Sequence, residues 1–215
     1  TNGDVQALTF RSGYTDFSSC QRTDTVGSCA TSGTNGTLHP ENVGKFFYSG
    51  GHMQVHANAL GLGALDNAAL ASEIRTTLGL GPVLTYTQPQ LAGGVATDAA
   101  TYAAFLQKLL RKELQMASLL GSDATCTNPR SCPTAVSTPA PDFDWGYSLG
   151  HWVESDPVSG DGSFSSAGAF GFYPWIDATK SYYGVIARVD LGSAGQESAM
   201  CGALIRKAWL TGTVQ

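Results

Sequence analysis

Ser165-Ser166-Ala167-Gly168-Ala169-Phe170-Gly171-Phe172-Tyr173-Pro174-Trp175-Ile176-Asp177 is a small-residue, glycine-bearing stretch that runs into an aromatic strand and a polar turn. A second strand follows at once, Tyr182-Tyr183-Gly184-Val185-Ile186-Ala187-Arg188-Val189. Glycines within a strand keep one face clear of side chains, so a ligand or another backbone can approach closely. Such an edge can lay its backbone N–H groups against an acyl group. Outward from it, strands are expected over 145–153, 163–176 and 182–191, a meander that predicts an antiparallel sheet. A final amphipathic helix is expected from Ser193, with Gln196 completing a capping box, through Met200, Leu204 and Ala208 to Gly212. It should cover one face of the sheet.

Upstream the pattern is helical. Asp66 is a good N-cap for a helix with Leu70, Ile74 and Leu78 on one face, ending at Gly79 and Gly81. A second helix starts near Thr97 or Asp98, with Tyr102, Phe105, Leu106, Leu109 and Leu110 as its apolar stripe. Lys108, Arg111 and Lys112 sit late in it, where the helix dipole favours cations. Residues 14–44 and 121–143 read as loops. Helices in the middle, strands late and a closing helix make the fold class α+β. Residues 1–144 form a helical and loop-rich region and 145–215 the strands and last helix of one structural unit.

At 215 residues the chain can bury about 70% of its unfolded surface as one domain. Its net charge of -5 offers nothing to phosphate backbones, which excludes nucleic-acid binding. No apolar run is long enough for a membrane span. Five cysteines are present. Cys20 and Cys29 flank one loop, Cys126 and Cys132 another, and two short-range disulfides are the natural reading. They imply an oxidising compartment, so the protein is expected to be secreted or periplasmic. Zinc is the competing reading, but these spacings lack the usual ligand pattern. Cys201 is left over, either buried in its helix or paired with a cysteine on another segment.

Two motifs suggest chemistry that their context does not support. Gly146-Tyr147-Ser148-Leu149-Gly150 fits G-x-S-x-G, yet that elbow needs a helix after it and an acid and a histidine later in the chain. Only His151 lies downstream, three residues on. An α/β-hydrolase using Ser148 is therefore the least favoured reading. His52 and His56 have the i, i+4 spacing of helical metal ligands, but no acidic neighbour supports a metal site. No metal or cofactor is expected.

A further set of segments runs in order. Ala7-Leu8-Thr9-Phe10-Arg11-Ser12-Gly13-Tyr14 resembles the leucine-threonine-histidine-x-serine-glycine segment of the β-lactamase-like serine hydrolases. These include penicillin-binding DD-peptidases, class C β-lactamases and carboxylesterases. Phe46-Phe47-Tyr48-Ser49-Gly50-Gly51 resembles their aromatic-Tyr-Ser motif, which opens a helix. Thr77-Leu78-Gly79-Leu80, Pro89-Gln90-Leu91-Ala92-Gly93-Gly94 and the helix start from Thr97 to Phe105 resemble three further elements. Trp145 to Trp152 is similar to the Y-G-L-G-W strand, and Ser166-Ala167-Gly168-Ala169-Phe170-Gly171 to the H-x-G-x-x-G strand. Seven such pieces are collinear from about residue 7 to residue 191.

The resemblance implies a β-lactamase/transpeptidase-like fold, an antiparallel sheet flanked by helices plus a mainly helical region. It implies acyl transfer on a small-molecule or oligomeric ester or amide. Tyr48, Ser166, Gly168 and Ala169 then hold the catalytic positions, and Ser49, Gly50 and Phe170 contact substrate. The family's nucleophile lies in a Ser-x-x-Lys motif, which residues 1–215 do not contain. Ser72-Glu73-Ile74-Arg75 comes nearest, and arginine cannot be deprotonated to serve as a base. The expected partner is therefore an N-terminal segment of the same protein that carries Ser-x-x-Lys. Gly50 stands where the family's Tyr-x-Asn motif has asparagine, and Ser166 where lysine or histidine opens the third motif. These departures turn the expectation from β-lactams toward an esterase-like hydrolase. The alternative is a non-catalytic binding module on the same fold, with Tyr48 an ordinary aromatic whose hydroxyl is satisfied.

Overall fold

The computed structural model describes residues 1–192 and 194–215. In chain order, α1 (Asn2–Leu8) and α2 (Val26–Ala30) precede β1 (Phe46–Phe47), α3 (Gly51–Ala57) and α4 (Asn67–Leu78). β2 (Thr85–Tyr86) and β3 (Val95–Ala96) lead into α5 (Ala99–Leu110) and α6 (Met116–Leu119). Next come β4 (Thr125–Cys126), β5 (Ala135–Ser137), β6 (Gly146–Ser148) and β7 (His151–Val153). β8 (Phe164–Ser165), β9 (Tyr173–Ile176), β10 (Tyr183–Ile186) and α7 (Gly195–Thr211) complete the chain.

The main sheet has six strands in the order β10-β9-β8-β7-β6-β4, every pair antiparallel. With helices on both faces this is the α+β architecture expected. The strands are shorter than the sequence suggests, and two of them are hairpins. The run 145–153 reverses at Leu149-Gly150, where Gly150 has φ +82°, and Tyr147 then pairs with Trp152. The run 163–176 reverses between Ser165 and Tyr173, with Gly171 at φ +91° and Ser165 opposite Trp175. A residue without Cβ suits an open strand face and a left-handed turn equally well, and here the turn wins.

Side chains alternate across a strand, so directly paired residues share a face. Tyr147, Trp152, Ser165 and Trp175 are in register across β6 to β9 and face α7. His151, Phe164 and Ile176 are on the other face, where α5, α6 and the residue just after α6 contribute Leu106, Leu109, Ala117 and Leu120 to a second layer. Local signals set the helix ends. Asp66 accepts the Ala69 N–H at 2.9 Å and Asp98 the Thr101 N–H at 2.7 Å, and α4 stops at Gly79 with φ +60°.

The last helix meets the sheet with a different stripe from the one expected. Ser198, Ala199, Gly202 and Arg206 face inward, while Met200 and Leu204 are each 51% exposed. The Tyr173 ring decides this, because a Cβ at Gly202 would lie 2.2 Å from it. The outer face of α7 is also apolar, with Trp209 76% and Leu210 69% exposed. The helix begins at Gly195, two residues later than expected, with Ala194 at its N-cap and no side-chain cap; Ser193, the expected cap, lies outside the described residues. Gln196 donates its amide to the Pro139 carbonyl at 2.7 Å.

Both disulfides are formed as expected, with Cα atoms 5.1 Å apart in Cys20–Cys29 and 6.0 Å apart in Cys126–Cys132. The first encloses α2, whose Val26 and Cys29 are fully buried, so the expected loop 14–44 holds a turn of helix. Cys201 is exposed and unpaired, not buried. No helix among the described residues is long and apolar enough to cross a membrane.

Candidate active site

Helix α1 ends in a reciprocal pair of backbone bonds, Arg11 N–H to Gln6 O at 2.7 Å and Phe10 N–H to Ala7 O at 3.3 Å. Such an ending needs a left-handed residue, usually glycine. Here it is Phe10 at φ +56°, a conformation that costs an L-residue roughly 1–2 kcal/mol. The ring offsets that strain by its packing. It stacks on Tyr147 at 4.7 Å and on His52 at 5.6 Å, and meets Tyr48 edge-on at 5.1 Å. Nothing in the sequence marks Phe10, Tyr147 or Trp152 as neighbours of Tyr48, because each contact spans tens of residues.

Tyr48 lies flat on Trp152, with ring centroids 5.6 Å apart and planes 15° from parallel. Its N–H donates to the Ser137 carbonyl at 3.0 Å, which ties the start of α3 to β5. The residue is 38% exposed, and no protein group among the described residues takes its hydroxyl. Burial against apolar rings raises the phenol above its ordinary pKa. Tyr48 is therefore a neutral O–H at pH 7, one that a nearby cation would have to acidify.

His52 sits beneath this platform, fully buried. Its Nε2–H donates to the Phe47 carbonyl at 3.0 Å, a partner that can only accept. Nδ1 then accepts the Ser12 N–H at 3.2 Å, with Ser12 Oγ 2.9 Å away. His56 turns elsewhere, to Asp4 at 3.1 Å. Among the described residues no His, Cys, Asp and Glu cluster could hold a metal ion.

Burial lowers His52 to about 4, against 6.5 when unfolded. Between those values the unfolded chain binds the extra proton, so this stabilisation is complete above about pH 6.5 and is lost as pH falls toward 4. Burial lowers His151 too, which adds to the trend, whereas bonds to Asp16 and Glu41 raise half-buried His39, whose contribution is lost only as pH rises above 6.5. His52 alone should make the unfolding free energy drop by up to about 1.4 kcal/mol per pH unit between pH 6.5 and 4.5. Urea titrations across that range check this, and a flat profile would mean that His52 is already charged in the fold.

The turn after β8 holds the other expected site residues. Gly168 N–H is taken by the Phe172 carbonyl at 2.9 Å. Ala169 is exposed, and its N–H has no backbone acceptor among the described residues. Phe170 is 56% exposed, and its carbonyl accepts the Asp190 N–H at 2.8 Å. Ser166 N–H donates to the Pro174 carbonyl at 3.1 Å, which continues the ladder and turns the Ser166 side chain to the α5 face, toward Tyr102. Ala167 returns to the Trp152 cluster. The turn thus begins beside the aromatic cluster that contains Trp152, on which Tyr48 lies, while Ser166 is directed away from Tyr48.

Ser148 is a strand residue, fully buried, with its hydroxyl donated to the Ser122 carbonyl. A hairpin turn follows it, not the helix a nucleophile elbow requires.

Solved structures resemble this arrangement of sheet and helices. A candidate beta-lactamase from Bacteroides dorei DSM 17855 superposes with TM-score 0.62 at 20% identity, over 94% of this chain and 71% of that one. A beta-lactamase from Mycobacterium bovis gives TM-score 0.59 at 16% identity, over 95% and 73%. The chain has a β-lactamase-like fold. A mutant simvastatin synthase from Aspergillus terreus shares it more loosely, with TM-score 0.54 at 13% identity, over 96% and 69%. No family model matches the sequence, and no curated protein does.

Within this β-lactamase-like chain, Gly50 has a steric reason. A Cβ there would lie 3.0 Å from the Phe17 ring, so any larger residue requires the Phe17 side chain to give by a few tenths of an ångström. Ser49, the residue before it, is buried and accepts the Gly51 N–H at 3.3 Å at the start of α3.

Proposed function

We propose that the chain is part of an esterase-like serine hydrolase that acts by acyl transfer on an ester or amide. Its nucleophile would come from a Ser-x-x-Lys segment of the same protein outside residues 1–215. The observation that carries this reading is Tyr48, a rigidly stacked tyrosine with an unclaimed hydroxyl on the motif where such a hydrolase places its proton carrier. Support for a further segment comes from α7 and β10. The outer face of α7 is apolar, and β10 ends the sheet with an unpaired edge. The two disulfides support assembly in an oxidising, secreted or periplasmic setting.

In this reading the serine oxygen attacks the carbonyl carbon and its proton passes through lysine and Tyr48 to the leaving alcohol or amine. Water then hydrolyses the acyl-enzyme by the reverse relay. The oxyanion takes the Ala169 N–H, since the Gly168 N–H is already engaged. A non-catalytic binding module is the second reading, favoured by Ser166 facing away from Tyr48 and by glycine standing at position 50 in place of the motif's asparagine. Hydrolysis of p-nitrophenyl butyrate separates them. The complete protein should turn the ester over and residues 1–215 alone should not. Inactivity of the complete protein would favour the binding module, and full activity of the 215-residue chain would place the nucleophile within it.

A further inference from the structure

The sheet face opposite α7 carries a cavity of about 230 Å³ beneath α5 and α6. Phe105, Leu106, Leu109, Met116, Phe164 and Ile176 form its apolar walls. Apart from Tyr102 and Ser166 at one end, the polar groups beside it are engaged or turned away. His151 Nε2 accepts the Gly121 N–H at 3.0 Å. Ser165 and Trp175 border it, but their cross-strand register with Trp152 sends their unpartnered Oγ and Nε1 to the α7 side. Water entering here finds few partners, and such cavities take apolar guests; about 150 Å³ accommodates benzene. By that measure this one holds roughly eight or nine carbons. Its polar end is at Ser166, which is exposed.

We propose that this cavity binds a small carboxylic acid or ester with an apolar chain of up to about eight carbons, its carboxyl or ester end at Ser166, on the sheet face away from Tyr48. This site is separate from the acyl-transfer site proposed around Tyr48, and its occupancy does not rest on that reading. Apolar walls reward each added methylene with about a 4-fold gain in affinity until the space is full.

Isothermal titration of the chain with sodium butyrate, hexanoate, octanoate and decanoate tests this. Affinity should climb at that rate to octanoate and level off at decanoate. Met116, half-buried on the wall, provides two opposite variants. Met116→Trp should weaken octanoate binding at least about 10-fold by filling the space, and Met116→Ala should move the plateau toward longer chains. Saturable binding with this dependence supports the proposal even if no ester is hydrolysed, in which case only the hydrolase reading falls. Absence of saturable octanoate binding overturns it, as does a chain-length profile unchanged by either variant.

Discussion

Arg206→Ala is expected to destabilise the chain by roughly 3–5 kcal/mol, the usual result of stripping one partner from a buried ion pair. Arg206 reaches in from α7 and has no exposed surface. Its Nη2 meets Glu154 Oε2 at 2.5 Å, its Nε meets Asp161 Oδ2 at 2.6 Å, and its Nη1 donates to the Tyr173 hydroxyl at 2.6 Å. Tyr173 in turn donates to Glu154 Oε1 at 2.5 Å, so every oxygen of the Glu154 carboxylate has a donor. Glu154 is 2% exposed, and removal of Arg206 strands its charge in a low-dielectric layer. For a chain of this size the loss corresponds to roughly 6–20 °C in Tm. Thermal and urea unfolding measure it, and the double variant Arg206→Met with Glu154→Gln should recover a large part. A single-variant Tm within about 2 °C of the parent would show that α7 is not held by this network.

Tyr48→Phe in the complete protein should lower kcat for p-nitrophenyl butyrate by about 10²–10⁴-fold, the worth of a positioned acid–base group. The phenyl ring keeps its stack on Trp152 and its edge contact with Phe10, and the lost hydroxyl holds nothing in the fold. Stability and KM should therefore stay near the parent values, which separates a chemical role from a structural one. Parent-like kcat would remove Tyr48 from the proton path. A large fall in Tm would instead assign its hydroxyl to the architecture.

What was legible in advance was local. The caps at Asp66 and Asp98 act within three residues of themselves, and both helices begin there. Each disulfide closes a loop short enough for sequence spacing alone to indicate the pair. The ordered motifs carried the fold because each is a local solution to a turn, a cap or a strand. The site was less legible. Tyr48 could be singled out by its motif, but its platform depends on Phe10 holding a left-handed backbone that no residue preference announces. His52 looked like a member of a histidine pair, whereas its partner is Ser12, forty residues away.

The sequence by itself determined the α+β composition, the caps, the disulfide pairing and the presence of a tyrosine on a hydrolase-like motif, all consequences of short-range chemistry. Only the tertiary structure decided that Gly150 and Gly171 turn the chain, since a missing Cβ serves a turn and a clear strand face alike until pairing is known. It also decided which side of α7 is buried. Hydrophobicity pointed to Met200 and Leu204, but the bulk of Tyr173 admits only Gly202 there, and the charge of Glu154 draws Arg206 inward. Packing volume and the pairing of buried charge are properties of two surfaces in contact, and a single strand of sequence contains only one of them at a time.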